Sequence, residues 1–268
     1  MSSMVWLNGR LVSAGEARLS VFDRGFTLAD GIFETLRARG SHIMWLADHL
    51  ARLRNGAATL GIEVSFDDAA IGKGLIGLAA QAGQTESTLR LTLSRGPSER
   101  RGLWPQGDAV KPTMLATLSA WSPPPLRQRF VIAQTTCRNE RSPLSRIKSL
   151  NYADNILARR EAAAKGAEDA LMLNTKDRLA CATVGNVFLR IGGVWFTPPV
   201  EDGVLPGLAR QRLIPLLPAH EQSIPRADLT QAEAGLVCNS LGISAIDRID
   251  GCALAAINVE IWQQIYRD

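Results

Sequence analysis

Lys148 is the residue whose type and setting first point to chemistry. The chain of 268 residues carries 30 basic side chains, yet only five are lysines: Lys73, Lys111, Lys148, Lys165 and Lys176. Arginine fills nearly every position where either would serve. Lys148 sits in Arg146-Ile147-Lys148-Ser149-Leu150-Asn151-Tyr152, just before a strong helical pattern. An arginine cannot lose its proton inside a protein, whereas a desolvated lysine can, and can then join a carbonyl as an imine. The same segment also fits a surface lysine with its stem on an apolar neighbour.

Four further places suit an anion. Gly203-Val204-Leu205-Pro206-Gly207-Leu208-Ala209-Arg210 leads glycine and proline into a helix start, where the N–H groups of Leu208 and Ala209 have no partner within the helix. A strand ends in Cys238-Asn239-Ser240, and the Ser240 hydroxyl can donate to a phosphate oxygen. Arg52 adjoins an apolar helix stripe and can turn inward to a buried anion in a bidentate pair. Arg95 to Arg101 is a Gly/Pro loop dense in cations, suited to a substrate carboxylate. Each place also fits an ordinary turn or solvated surface. One lysine and three phosphate contacts together match the needs of pyridoxal 5′-phosphate (PLP).

The elements that must hold these residues are legible from periodicity. Asn8-Gly9 predicts a hairpin over 4–12. Strands are expected on either side of Arg39-Gly40-Ser41. Leu46, Leu50, Leu53, Ala57 and Leu60 form one helical stripe, and a second helix runs from Asp67 to Ala82 before Gly83. Strands follow at 88–94 and 113–119. The proline run of 121–128 predicts a linker between a first domain, 1–120, and a second, 129–268. There, strands are expected at 130–136, 170–174, 180–190, 194–197 and within 235–254, and helices at 152–165 and from Gly207. The class is α+β.

Composition excludes several roles. No apolar run reaches the ~18 residues of a membrane span, and the first ten residues lack the layout of a signal peptide. A cytoplasmic location is expected. Cys137, Cys181, Cys238 and Cys252 fit no zinc or redox spacing and are expected as buried free thiols. Three scattered histidines suggest no metal site. A net charge of +4, without a basic block, gives no support to nucleic-acid binding.

These residues together resemble the class IV (fold-type IV) PLP enzymes, which include branched-chain and D-amino-acid aminotransferases and 4-amino-4-deoxychorismate lyases. Five ordered matches span nearly the whole chain: Asp23-Arg24-Gly25 with Asp30-Gly31-Ile32-Phe33-Glu34-Thr35; His49-Leu50-Ala51-Arg52-Leu53; Lys148-Ser149-Leu150-Asn151-Tyr152; Asn186-Val187-Phe188; and Leu205-Pro206-Gly207-Leu208-Ala209-Arg210. The resemblance implies a D-amino-acid-aminotransferase-like fold, with a small α/β domain, a larger pseudo-barrel domain, a homodimer and an active site at the domain interface. It implies that Lys148 holds the cofactor aldehyde and shuttles the proton. Arg52, Leu208, Ala209 and Ser240 are implied at the phosphate, Leu205 against the ring and Tyr152 at its polar edge. Phe33, Arg95 and Arg101 are expected at the substrate. The strand ending Cys238-Asn239-Ser240-Leu241 is similar to the lyase subgroup, so elimination of pyruvate to give 4-aminobenzoate for folate synthesis is the expected reaction. An aminotransferase for D- or branched-chain amino acids is the alternative.

One position departs from the family. Five residues before Asn186 the family places a glutamate that pairs with the ring nitrogen. Cys181 stands there. A thiol is a weak partner beside a carboxylate, which leaves open slower chemistry, a weakly active PLP-binding protein, or another acid in the role.

Overall fold

The computed structural model describes residues 3–81, 83–98, 102–104 and 111–267. They form two compact units, 1–122 with 147–151, and 123–146 with 152–268. A cut at the proline-rich stretch does not anticipate the return of 147–151 to the first unit. That return is made by the main chain: the Phe33 N–H donates to Lys148 O and the Leu150 N–H to Gly31 O, each at 2.9 Å, with a bridge between Ile32 and Ser149.

The first unit runs β1 (Met4–Leu7), β2 (Arg10–Ser13), α1 (Arg24–Leu28), β3 (Gly31–Arg39), β4 (His42–Ile43), α2 (Leu46–Leu60), α3 (Asp68–Gln81), β5 (Glu86–Ser94) and β6 (Thr113–Ala120). Its antiparallel sheet has the order β2-β1-β6-β5-β3-β4. The β1–β2 turn holds Asn8 and Gly9 at φ 47° and 87°, the positive pair that Asn-Gly accepts most readily. Alternation along the strands sends Ile32, Leu36, Ala38, Leu89, Leu91, Leu93, Met114, Ala116 and Leu118 to one face. They pack there with Leu50, Leu53 and Ala57 of α2 and Ile71, Leu75 and Leu78 of α3. Each such leucine contributes about 1.5–3 kcal/mol. The other face carries Phe33, Thr35, Arg90 and Thr92, the side chains of intervening register.

The second unit runs β7 (Arg127–Ile132), a 3-10 turn (Pro143–Arg146), α4 (Ala153–Ala164), β8 (Asp169–Leu173), β9 (Leu179–Ala182), β10 (Asn186–Ile191), β11 (Val194–Thr197), α5 (Leu208–Leu216), β12 (His220–Glu221), β13 (Ala234–Asn239), β14 (Gly242–Ile249) and β15 (Cys252–Ala253). Its nine strands follow the order β12-β11-β10-β13-β14-β7-β8-β9, with β15 beside β14. Only residues 183–185 join β9, at one end of that path, to β10, third from the other end. The sheet therefore curls into a half-barrel. Ala158 and Ala162 of α4 lie against Ala170 and Met172, a close fit that small side chains permit.

Three sequence expectations are corrected. The strand expected at 180–190 is two, because the Ala182 N–H closes a turn on Gly185 O. The strand expected at 130–136 ends at Ile132, because the N–H groups of Gln134 and Thr135 turn to the Glu161 carboxylate of α4. Cys137 and Cys252 are exposed and Cys181 is half-buried, so of the four only Cys238 is buried as expected; all four thiols are free. Among the described residues, no helix is long and apolar enough to cross a membrane. No group of His, Cys, Asp or Glu among them could hold a metal ion.

Candidate active site

In the first unit, Lys148 Nζ stands 4.3 Å from the centre of the Phe33 ring. The structure thus brings together two residues expected at the site. The Arg90 guanidinium lies 3.7 Å from the same ring centre. Two cations on one aromatic ring, at the edge of a polar sheet face, make a place for an anionic, partly apolar molecule. Sequence reasoning missed Arg90. The strand alternation puts it on the face opposite the core, but nothing local marks it out from other surface arginines.

Arg52 does turn inward, and the anion it meets within its unit is Glu34. Arg52 Nε and Nη2 donate to the two Glu34 oxygens at 2.8 and 2.6 Å. Glu34 on β3 is 1% exposed, and its Oε2 also accepts from His49 Nδ1 at 2.7 Å. Burial alone would raise the Glu34 pKa, but hydrogen bonds from His49 and Arg52 outweigh it and hold the group down to about 2. For His49 burial wins over the carboxylate, and its pKa falls below 6.5. His49 is therefore neutral at pH 7. An ionised carboxylate only accepts, so the ring hydrogen sits on Nδ1, and Nε2 is left buried without a hydrogen-bond partner.

Both shifts act on stability in the same direction. As pH falls through about 6.5, the unfolded chain protonates at His49 before the folded chain does. Between 4.5 and about 2 the same holds for Glu34. Unfolding free energy is expected to decline from pH 7 toward pH 5 with a slope of up to about 1.4 kcal/mol per pH unit from this histidine. Denaturant titrations of the wild type and His49→Asn at several pH values check this; the variant should lose that part of the slope.

Arg95 is placed differently from the expectation. Its guanidinium donates to Asp30 through Nε at 2.7 Å and Nη2 at 3.2 Å, to Gly61 O at 2.8 Å and to Leu60 O at 2.6 Å. These partners occupy it at the carbonyl end of α2, where a cation also suits the helix dipole. Arg24 shares Asp30 at 2.8 Å and reaches Gly102 O and Leu103 O. Arg95 is thus a positioning residue for this loop rather than a substrate contact. Arg101 lies outside the described residues.

In the second unit, three turns meet. The Asn186 amide donates to Leu205 O at 3.0 Å, and the Asn239 amide to Val184 O at 3.2 Å. Gly207 is the N-cap of α5, and no side chain caps that end. Its φ of −73° suits any residue. What requires glycine is space: a Cβ would stand 1.9 Å from Asn186 Oδ1. Leu208 and Ala209 follow, buried, at the first turn of α5. Ser240 is half-buried in the turn after β13, which Tyr266 braces by donating to Asn239 O at 2.6 Å. An uncapped helix start held against a cradle with no room for a Cβ fits a phosphate. Leu205 is half-buried in the approach to this turn, and Tyr152 is the half-buried N-cap of α4.

Cys181 lies on β9 opposite Met172 and packs beside α4. Burial pushes its thiol up from 9.0; the Arg138 charge pulls the other way and Asp169 adds to the rise. A neutral thiol results. Asp169 is no substitute acid, since Thr183 Oγ1 and the Ala170 N–H donate to it and Arg159 lies 3.2 Å away.

Residues 31–249 match the model of the amino-transferase class IV family. The chain belongs to the class IV aminotransferases. Its relatives divide by activity. D-alanine aminotransferase of Bacillus licheniformis is 27% identical over 254 residues, 92% of this chain and 88% of that protein. Aminodeoxychorismate lyase of Bacillus subtilis is 29% identical over 215 residues, 79% of this chain and 72% of that protein. Among solved structures, a Legionella pneumophila protein provisionally named a 4-amino-4-deoxychorismate lyase superposes with a TM-score of 0.86 at 30% identity, covering 95% of each chain. This class IV chain is accordingly a PLP-dependent enzyme, a lyase or an aminotransferase, with the two-part α+β fold of that family.

Proposed function

We propose that this enzyme is a 4-amino-4-deoxychorismate lyase, releasing pyruvate and leaving 4-aminobenzoate for folate synthesis. The observation that carries the reading is the neutral, half-buried thiol of Cys181. Bound PLP supplies an electron sink, and its strength depends on a protonated ring nitrogen, which a carboxylate secures and a thiol does not. Amino-group transfer must hold the electron pair left when the substrate loses its proton. An elimination passes that pair at once to the bond that breaks, so it tolerates a weaker sink. The lyase-like Asn239-Ser240-Leu241 turn supports the same choice.

In this reading Lys148 would hold the cofactor through its amine, and the same amine would move the substrate proton. Nζ takes the proton from the carbon that bears the substrate's amino group. The neighbouring carbon–oxygen bond breaks, and the three-carbon enol leaves and is protonated to pyruvate. Arg52, the N–H groups of Leu208 and Ala209, and Ser240 would bind the phosphate. Leu205 would pack on the ring, Tyr152 would serve its polar edge, and Cys181 would face its nitrogen. Phe33 and Arg90 would contact substrate.

A homodimer belongs to this proposal. Leu19, Val21, Phe22 and Phe26 are 52–84% exposed on one segment, beside a cavity of about 440 Å³. Such a face suits cover by a second copy, and sedimentation at micromolar concentration would test it.

The function is tested by supplying aminodeoxychorismate and assaying pyruvate, and separately leucine or D-alanine with 2-oxoglutarate and assaying glutamate. Pyruvate release without a 2-oxo acid supports the lyase. Glutamate formation with no activity on aminodeoxychorismate overturns it in favour of an aminotransferase, the reading that the Bacillus licheniformis relative supports. Cys181→Glu should raise the protonated fraction of the bound cofactor in the absorption spectrum. If spectrum and turnover both stay as in the wild type, Cys181 does not face the ring nitrogen.

A further inference from the structure

Glu34, His49 and Arg52 form a buried set whose charges cancel. The carboxylate is 1% exposed, the guanidinium side chain 11%, and the imidazole between Glu34 and Trp45 is neutral. A group meant to attract a phosphate dianion by charge alone gains nothing from a carboxylate at 2.6 Å. Glu34 weakens that attraction. Its contribution must lie elsewhere, and the contact geometry says where.

Glu34 takes one whole edge of the guanidinium, Nε and Nη2, in a side-on pair. The fork is rigid and planar, so pinning one edge fixes the direction of the other. His49 donates to the same oxygen that receives Nη2 and keeps the carboxylate from rotating. His49 and Arg52 lie one turn apart on α2, and Glu34 faces them from β3, so helix and strand hold the set from both sides.

We propose that Glu34, braced by His49, is a positioning residue that makes Arg52 a directional donor to the cofactor phosphate while cancelling its charge. This deepens the reading in which Arg52 binds that phosphate, and rests on it. Glu34 touches neither substrate nor cofactor in this scheme; it acts through Arg52.

The sign of one measurement decides. PLP affinity of the apoprotein is measured by absorbance titration for the wild type, Glu34→Gln, Arg52→Ala and Arg52→Lys, at low and high salt and with inorganic phosphate as competitor. Glu34→Gln removes a negative charge next to the phosphate donor, so charge alone predicts tighter binding. Positioning predicts about 10-fold weaker binding and a steeper loss with salt, since an undirected cation is what remains. Arg52→Lys, which keeps the charge and loses the fork, should weaken binding comparably. Affinity in Glu34→Gln equal to or above the wild type overturns the proposal. Unchanged affinity in Arg52→Ala overturns instead the assignment of Arg52 to the phosphate, and the proposal falls with it. If Glu34→Gln does not fold, His49→Gln removes only the brace; it should weaken binding several-fold, and wild-type affinity there overturns the proposal equally. Near-ultraviolet circular dichroism establishes that each variant compared is folded at the assay temperature.

Discussion

Lys148→Arg is expected to lower turnover by about 1000-fold or more while leaving the fold in place. Arginine keeps a cation beside the Phe33 ring, where Lys148 Nζ lies 4.3 Å from the centre. The main-chain contacts that help hold the segment in its unit, Phe33 N–H to Lys148 O and Leu150 N–H to Gly31 O, do not depend on the Lys148 side chain. Stability should therefore change little, within a few degrees of Tm. What is lost is the ability to be neutral: a guanidinium neither forms the covalent link to a carbonyl nor collects a proton at pH 7. Steady-state turnover together with borohydride reduction in the presence of PLP checks both halves. The wild type should carry the reduced label on Lys148 and the variant none at that position. More than about a tenth of wild-type turnover in Lys148→Arg would remove it from the centre of the reaction.

Gly207→Ala should have the second largest effect. The new methyl would stand 1.9 Å from Asn186 Oδ1, closer than any side chain tolerates. Asn186 cannot yield easily. It is paired with Cys238 across β10 and β13, and its amide holds Leu205 O at 3.0 Å. The turn leading into α5 must move instead, and the N–H groups of Leu208 and Ala209 move with it. Overpacking of this kind costs about 1–3 kcal/mol, and PLP affinity is expected to fall about 10- to 100-fold. The backbone of Gly207 is ordinary, so the cause is contact alone. Asn186→Ala in the same chain should then restore part of what Gly207→Ala removes, a non-additive result that a titration of the double variant reads directly. Wild-type affinity in Gly207→Ala would take the α5 start out of the phosphate site.

The helices and most strands were legible before the fold was known, because their cause is local. The leucine stripe of 46–60, the Asn-Gly turn and the alternation of β3 and β5 each need only a few neighbouring residues to act. The marks that singled out Lys148, Arg52 and the 205–209 turn were local too: one of few lysines, an arginine beside an apolar stripe and a Pro-Gly entry to a helix. The partners of those residues were not. Glu34 and His49 lie fifteen positions apart and meet only when β3 docks on α2. Arg95 looks like a free loop cation until Asp30, Leu60 and Gly61 converge on it. Arg90 is one of many arginines until Phe33 lies beside it. The Lys148 segment follows the proline-rich stretch in sequence yet pairs with the first unit, because the Phe33 N–H donates to Lys148 O and Gly31 O accepts from the Leu150 N–H there. Residue type and spacing along the chain determined which chemistry was available. The tertiary structure decided the charge and direction of each group, because both depend on burial and on partners that sequence distance does not encode.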